Sequence, residues 1–186
     1  MDVLDFLSKP MRGLSGYAED NAMGKLSTVT YCRAGMGPRG ENILRALHEG
    51  HSVMSNGPLL IAGFDVNANG SLDDPEDVGV GQQITSSLRA LPPLQVEWAT
   101  SAEFGPVKSL RVMVGSESGE SAPVELNVPA QKALASDGLY PLDLRSYLGK
   151  LGTGWGYVRL ETRTLNGAGE EFRCYTNPIW VRITEP

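Results

Sequence analysis

A chain of 186 residues, of which 41% are hydrophobic and 20% charged, is long enough to bury the core of one substantial domain and too apolar to be disordered. The net charge of −6 and the scattered basic residues exclude a phosphate-binding surface, so we expect no nucleic-acid partner. No apolar run approaches the ~18 residues of a membrane span, and an N-terminus that carries Asp2 and Asp5 is not expected to act as a secretory signal.

The first predicted elements are a strand and a helix. The 22 glycines and 12 prolines favour many short elements joined by turns, which is typical of β proteins. β-Branched and aromatic residues predict a strand over residues 26–33. After a glycine-rich turn, residues 41–50 predict a short helix that stops at Gly50. One face of this helix is apolar and carries Ile43, Leu44 and Leu47.

From residue 52 onward, short alternating segments predict strands. Trp98 shares one face of its segment with two aliphatic residues and is expected in the core. Asn177 and Pro178 interrupt the last segment, where proline implies a bulge, an edge or a corner. The predicted strands are 58–66, 78–84, 94–100, 109–115, 122–128, 155–165 and 170–184.

This spacing of strands predicts a mainly β fold, an antiparallel Ig-like β-sandwich of seven or eight strands with one short helix near the N-terminus. We expect an irregular N-terminal segment over residues 1–51, containing one strand and the helix, and a sandwich domain over residues 52–186.

The sharpest local motif is the acidic segment DVNANGSLDDPE, residues 65–76, whose spacing matches a twelve-residue calcium loop. Gly70 stands at the sixth position, where such a loop turns sharply. Strands flank the segment, so the sequence predicts a structural calcium ion in a β-hairpin loop. An acidic surface turn is the alternative, because Asp, Asn and Gly are also turn residues. The predicted ligands are Asp65, Asn67, Asn69, Ser71 through its backbone carbonyl, Asp73 and Glu76.

Other candidate residues favour structural interpretations. His48 and His51, the two histidines, predict a helix-end residue and a loop residue, and we expect no transition metal in this chain. No strand–turn–helix nucleophile motif is present, and the glycines of residues 152–156 predict a turn that leads into a strand. Two further pairs leave alternatives open: edge packing or ligand stacking for Trp155 and Trp180, and free thiols or one disulfide for Cys32 and Cys174.

Two segments together resemble the C-terminal region of PHP-type metal-dependent hydrolases, in the carbaryl-hydrolase branch. The first is ILRALHEGHSVMSNGPLLIAGFDV, with a short L-x-A-L-x-x-G helix, an S-N-G-P turn and a strand. The second is YVRLETRT followed by RCYTNPIWV, where T-N-P-I and an aromatic residue close the last strand. The resemblance covers about residues 26–184.

The resemblance implies an accessory role rather than catalysis. In that family a barrel upstream of the helix binds the metals through His-x-His and further His and Asp residues, and this chain has no His-x-His. We therefore expect a non-catalytic accessory domain whose partner is a PHP-type barrel, in the same or a separate chain. The S-N-G-P residues Ser55, Asn56 and Gly57 either help to dock on that barrel or form only a tight turn. The alternative function is a stand-alone, calcium-stabilised module that binds a carbohydrate or a protein.

Overall fold

The computed structural model describes residues 27–30, 39–72, 74–126 and 140–185 of a mainly β protein. The described helical elements are α1 (Gly40–His48), α2 (Arg145–Leu148) and a 3-10 turn at Gly149–Leu151. The described strands are β1 (Ser27–Thr30), β2 (Ser52–Ser55), β3 (Leu59–Phe64), β4 (Val78–Gly79), β5 (Gln83–Ser86), β6 (Leu94–Ala99), β7 (Val107–Ser116), β8 (Gly119–Glu120), β9 (Val124–Leu126), β10 (Tyr140–Leu142), β11 (Gly154–Leu165), β12 (Glu171–Thr176) and β13 (Ile179–Ile183).

The strands form two sheets. The larger has nine strands. On one side of β11, β12 and β13 pair with successive parts of the strand; β2 and then β1 continue the sheet beyond β12, and β5 continues it beyond β13. On the other side β7 pairs with β11, and β8 and β9 pair with β7. The smaller has four strands in the order β10-β6-β3-β4. Among the strand pairs of the described residues, β5 with β13 is parallel and the others are antiparallel, so the prediction of a purely antiparallel fold was wrong at this pair. The long stretch of chain between β5 and β13 supplies the crossover that parallel pairing needs.

Both sheets contribute to one hydrophobic core. Alternate residues of β6 and β13 point inward, and the alternation follows from the two-residue period of a strand. Trp98 is 1% exposed, which confirms its predicted place in the core. Other core residues include Leu60, Phe64, Leu94 and Val96 of the smaller sheet and Leu110, Val112, Val158, Leu160, Ile179 and Val181 of the larger.

The break at Asn177 and Pro178 is a bulge, one of the three features that the proline implied. Glu161 of β11 lies opposite Tyr175 of β12, whereas Val158 of β11 lies opposite Ile179 of β13. These pairs are three residues apart on β11 and four residues apart on the opposite chain, so the opposite chain has one extra residue at the break. Across the break the outer neighbour changes from β2 to β5.

The strand predicted over residues 78–84 was wrong, because the chain changes sheets in its middle. β4 pairs with β3 as the predicted hairpin requires, but β5 pairs with β13 in the other sheet. The change occurs around Gly81, whose φ of 83° is accessible mainly to glycine. β2, β10 and α2 were not among the predicted elements. Neither described helix has the length and apolarity to cross a bilayer.

Candidate functional site

Helix α1 ends in a Schellman motif, which confirms the predicted stop at Gly50. Gly50 has a φ of 75°, and its N–H donates to the carbonyl of Leu47 at 3.1 Å. The N–H of His51 donates to the carbonyl of Ala46 at 2.8 Å. These two bonds satisfy carbonyls that a helix end otherwise leaves open, and they fix the direction in which the chain leaves the helix.

Asn177 ties this helix end to the larger sheet. Its Nδ2 donates to the carbonyl oxygen of Gly50 at 2.9 Å and lies 3.2 Å from the Oγ of Ser52. The backbone N–H of Asn177 also donates to the carbonyl of Ser52 at 3.3 Å. A single side chain at the bulge therefore holds the end of α1 and the start of β2.

Gly81 also packs against the end of α1 and bonds to the residue after Asn177. Its N–H donates to the carbonyl of Pro178 at 2.9 Å. A Cβ at Gly81 would lie 2.4 Å from the carbonyl oxygen of Glu49, which is closer than real Cβ atoms come. Only glycine fits here, because backbone occupies the space of a side chain. We name this region the helix–sheet junction; it consists of Gly50, Ser52, Gly81, Asn177 and Pro178.

The S-N-G-P turn bonds to its own chain, as a tight turn does. Ser55 donates to the carbonyl of Pro58 and accepts the N–H of Gly57 at 2.9 Å. Asn56 exchanges two hydrogen bonds with the backbone of Arg173 in β12, at 3.1 and 2.6 Å. The two segments that carry the family resemblance are therefore in direct contact, through β2 and β12 and through Asn177.

The apolar face of α1 is exposed. Leu44 is 68% exposed and Leu47 is 44% exposed, and Ile43 beside them is 37% exposed. The buried residue of the helix is Ala46, at 4%. A helix normally turns its apolar face toward the core, so this arrangement places three large aliphatic side chains where a partner can cover them.

The acidic loop, residues 65–77, begins at a buried carboxylate. Asp65 is 3% exposed, and its Oδ1 and Oδ2 accept the backbone N–H groups of Asn69 and Gly70 at 3.1 and 2.8 Å. At the other end Asp77, which is 5% exposed, accepts the N–H groups of Val66 and Asp74 at 3.2 and 3.0 Å. The two buried aspartates therefore determine the shape of the loop.

Three of the predicted calcium ligands converge in this loop. The N–H of Asn69 lies 3.1 Å from an oxygen of Asp65 and 3.1 Å from Oδ1 of Asn67. The amides of Asn67 and Asn69 both donate to Asp74 Oδ2, the former at 2.9 Å. Asp74 was not among the predicted ligands, although its place in the run of acidic residues after Leu72 was a signal for it.

The remaining predicted ligands are less clearly placed. Asp73 lies outside the described residues, and the exposed Glu76 does not contact the converging group through any described hydrogen bond. The N–H of Ser71 donates to Oδ1 of Asn69 at 2.8 Å. Within the ranges that the structure describes, no three His, Cys, Asp or Glu side chains form a cluster that would hold a metal ion.

The side chains of the loop carry oxygen donors. Calcium prefers oxygen ligands, and amides and carboxylates both supply them. A half-turn of the Asn67 or Asn69 amide would direct its oxygen toward the place where Asp74 now accepts, and it would give up the bond that this oxygen accepts from the backbone N–H of Asn69 or Ser71. The backbone bonds to Asp65 leave further lone pairs on both carboxylate oxygens.

The other singled-out side chains have structural surroundings. His48 is exposed at the end of α1, and the buried His51 has its Nδ1 3.5 Å from a Glu49 carboxylate oxygen. Cys174 is a buried free thiol, which is one of the two alternatives that the sequence left open for this residue. Burial raises the pKa of Cys174 to about 12. Cys32 lies outside the described residues.

A scan against protein-family models finds no match for this chain, and searches of the curated proteins and of the solved structures find none either.

Proposed function

We propose that this chain is a non-catalytic accessory domain of a PHP-type metal-dependent hydrolase, with an Ig-like sandwich arrangement of its two sheets. It docks on the catalytic barrel through the exposed face of α1. The observation that carries the proposal is a helix that is locked to the sheet at its C-terminal end and yet exposes Ile43, Leu44 and Leu47.

A fixed helix with an apolar face is suited to docking because its backbone is ordered before the partner arrives. Binding then costs less conformational entropy than it would for a flexible segment. The resemblance supports the identity of the partner, because in the similar proteins the barrel precedes this helix. The proposal leaves the chemistry to the barrel, since this sequence holds two histidines and no His-x-His.

The direct experiment mixes this chain with a PHP-type barrel encoded upstream or adjacent in the same genome, produced as a separate protein. Light scattering after size exclusion should detect a one-to-one complex. The chain alone, supplied with Zn²⁺ or Mn²⁺, should not hydrolyse bis(p-nitrophenyl) phosphate faster than the metal does. Hydrolysis that disappears with a chelator and returns with metal would contradict the non-catalytic role.

We also propose that the acidic loop binds a structural calcium ion. The support is the twelve-residue spacing together with the convergence of Asp65, Asn67 and Asn69. A ligand that binds only the folded state must raise the melting temperature. We expect millimolar Ca²⁺ to raise the Tm of chelator-treated protein by several degrees.

Glu76→Gln is the sharpest variant for this test. Glu76 is exposed, so its substitution should leave the Tm in chelator unchanged while it removes a carboxylate from the twelfth position of the loop. We expect it to abolish most of the calcium shift, and Asp65→Ala to abolish all of it. Glu117→Gln, an equally exposed change in the turn between β7 and β8, should retain the full shift. Equal shifts in all variants, or no shift in the wild type, would refute the site.

A further inference from the structure

The outer face of the larger sheet carries arginines that are paired with carboxylates, with one exception. The closest nitrogen–oxygen distances of these pairs are between 2.5 and 3.8 Å. Arg182 of β13 points outward as well, but it makes no ion pair with a described residue; its guanidinium lies 5.6 Å from the centre of the Trp155 ring. The paired arginines are Arg111 with Glu125, Arg159 with Glu120, Arg163 with Glu171, and Arg173 with Glu161 and Glu171.

Two exposed tryptophans adjoin this unpaired arginine. Trp155 is 42% exposed and Trp180 is 39% exposed, and they stand on the neighbouring strands β11 and β13. Trp155 lies opposite Arg182, and Trp180 lies opposite Tyr157, so the two tryptophans are diagonal neighbours on adjacent strands, a relation in which long side chains are within reach of each other. We name Trp155, Trp180 and Arg182 the aromatic platform.

The platform has a rigid base. The ring of Tyr157 meets Trp180 edge to face at 5.7 Å and lies over Gly115, where a Cβ would come within 2.3 Å of the ring. The Tyr157 hydroxyl lies 3.2 Å from a Glu120 oxygen, and Arg159 donates two bonds of 2.7 Å to the same carboxylate. Burial would raise the pKa of Glu120, but its bonds to Arg159 and Tyr157 lower that pKa below the ordinary value. The Glu120 carboxylate therefore stays ionised near neutral pH.

The described strand next to the platform presents polar side chains beside it. On β5 the exposed residues Gln83 and Thr85 lie opposite Trp180 and Arg182. This surface therefore offers indole rings for stacking, an amide and a hydroxyl for hydrogen bonds, and a guanidinium whose planar fork matches a carboxylate. A saccharide that carries carboxylates presents the complementary set, with C–H faces, hydroxyl groups and an anionic group on each ring.

We propose that the aromatic platform binds a uronic-acid-containing glycan. The sugar rings stack on Trp155 and Trp180, and a carboxylate pairs with Arg182. The paired arginines elsewhere on the sheet do not take part, because their carboxylate partners already occupy them. This inference is independent of the docking of α1, since it uses strands β5, β11 and β13 alone.

The test is calorimetric titration of the full chain with oligogalacturonate and with oligomannuronate, each beside its fully methyl-esterified form. We expect at least one free-acid oligosaccharide to bind, and its methyl ester to bind more weakly. Added salt should reduce the difference, because it screens an exposed ionic contact. Binding of neither free acid would refute the proposal.

Three variants and a matched control assign the contact to the platform. Trp155→Ala and Trp180→Ala should each weaken binding by about tenfold or more, with unchanged circular dichroism. Arg182→Gln should remove most of the preference for the free acid over its ester, about tenfold. Arg163→Gln, which changes an arginine that is ion-paired, should bind like the wild type. Tighter binding of an acidic poly-glutamate peptide than of any oligosaccharide would overturn the assignment in favour of a protein partner.

Discussion

The helix–sheet junction and the acidic loop each require a glycine with almost the same φ, but for different reasons. Gly81 in the junction has a φ of 83°, and Gly70 in the loop has a φ of 82°. A Cβ at Gly81 would meet the backbone of Glu49 and Gly50 at 2.4 Å, whereas a Cβ at Gly70 would meet nothing within 4 Å. The loop needs glycine for a local turn, and the junction needs it for a tertiary contact.

The two regions differ in the sequence separation of the residues that their hydrogen bonds join. The acidic loop is built from bonds between near neighbours in sequence, such as those from Asp65 to Asn69 and Gly70. The junction joins residues more than a hundred positions apart, as in the bond from Asn177 to Gly50. We therefore expect the junction to contribute to global stability and the loop to respond mainly to its ligand.

The largest difference should come from alanine at the two glycines. Gly81→Ala combines a strained φ with a backbone clash and should lower the free energy of unfolding by about 3 kcal/mol or more. Gly70→Ala adds only the strain and should cost about 1 kcal/mol. Urea denaturation in chelator measures both. Equal losses would show that backbone packing at the junction is unimportant.

Removal of one amide in each region should have the next largest effect. Asn177→Ala deletes bonds to Gly50 and Ser52 in part-buried surroundings and should cost about 1 kcal/mol. Asn67→Ala deletes exposed bonds to Asp74 and to the N–H of Asn69 and should cost less than about 0.5 kcal/mol in chelator. If Asn67→Ala costs as much as Asn177→Ala, the contrast between the two regions does not hold.

Alkaline pH should weaken the β2–β12 pairing that the junction depends on. Cys174 faces Ser55 across these strands, and its pKa is raised from 9.0 to about 12 by burial. A raised pKa gives stability that is present below the unfolded-state value and is lost as pH rises, here between about pH 9 and 12, at up to ~1.4 kcal/mol per pH unit. In a Cys32→Ser background, Cys174→Ala should flatten this slope in urea titrations. An unchanged slope would contradict the burial of the thiol.

The smallest effect should be confined to single backbone amides. Calcium should slow hydrogen exchange at the N–H groups of Asn69 and Gly70, which bond to the Asp65 carboxylate. Exchange at Gly81, whose N–H bonds to Pro178, should change little. Slowing of equal size at all three sites would mean that calcium acts on the whole domain and not on the loop.

The predictable features were those that local chemistry decides. Gly50 follows an amphipathic segment and ends the helix, Trp98 alternates with aliphatic residues and is buried, and Pro178 forces a break in pairing. The change of sheet at Gly81 was not predictable, because Gly81 packs there against the backbone of Gly50 from another part of the chain. Periodicity cannot reveal such a contact.

In the candidate site, too, the sequence identified the residues, whereas their exposure and partners depend on the fold. The amphipathic pattern identified Ile43, Leu44 and Leu47 as one face, but it could not tell that this face is exposed. Exposure depends on where the helix lies in the folded chain, and the bond from Asn177 to the end of the helix is a tertiary contact that periodicity does not encode. In the loop, the spacing identified Asp65 as the first position, yet Asp74 joins the group because the chain folds back on itself.

One measurement tests the docking of α1 most directly, the affinity of this chain for the PHP-type barrel with and without Leu44→Glu. Leu44 is 68% exposed, so the change should leave the Tm within about a degree of the wild type while it weakens the complex at least tenfold. Leu165→Glu, at a 37% exposed leucine on β11, is the control and should bind like the wild type. A complex that Leu44→Glu leaves intact, or no complex with the wild type, would contradict the proposed function.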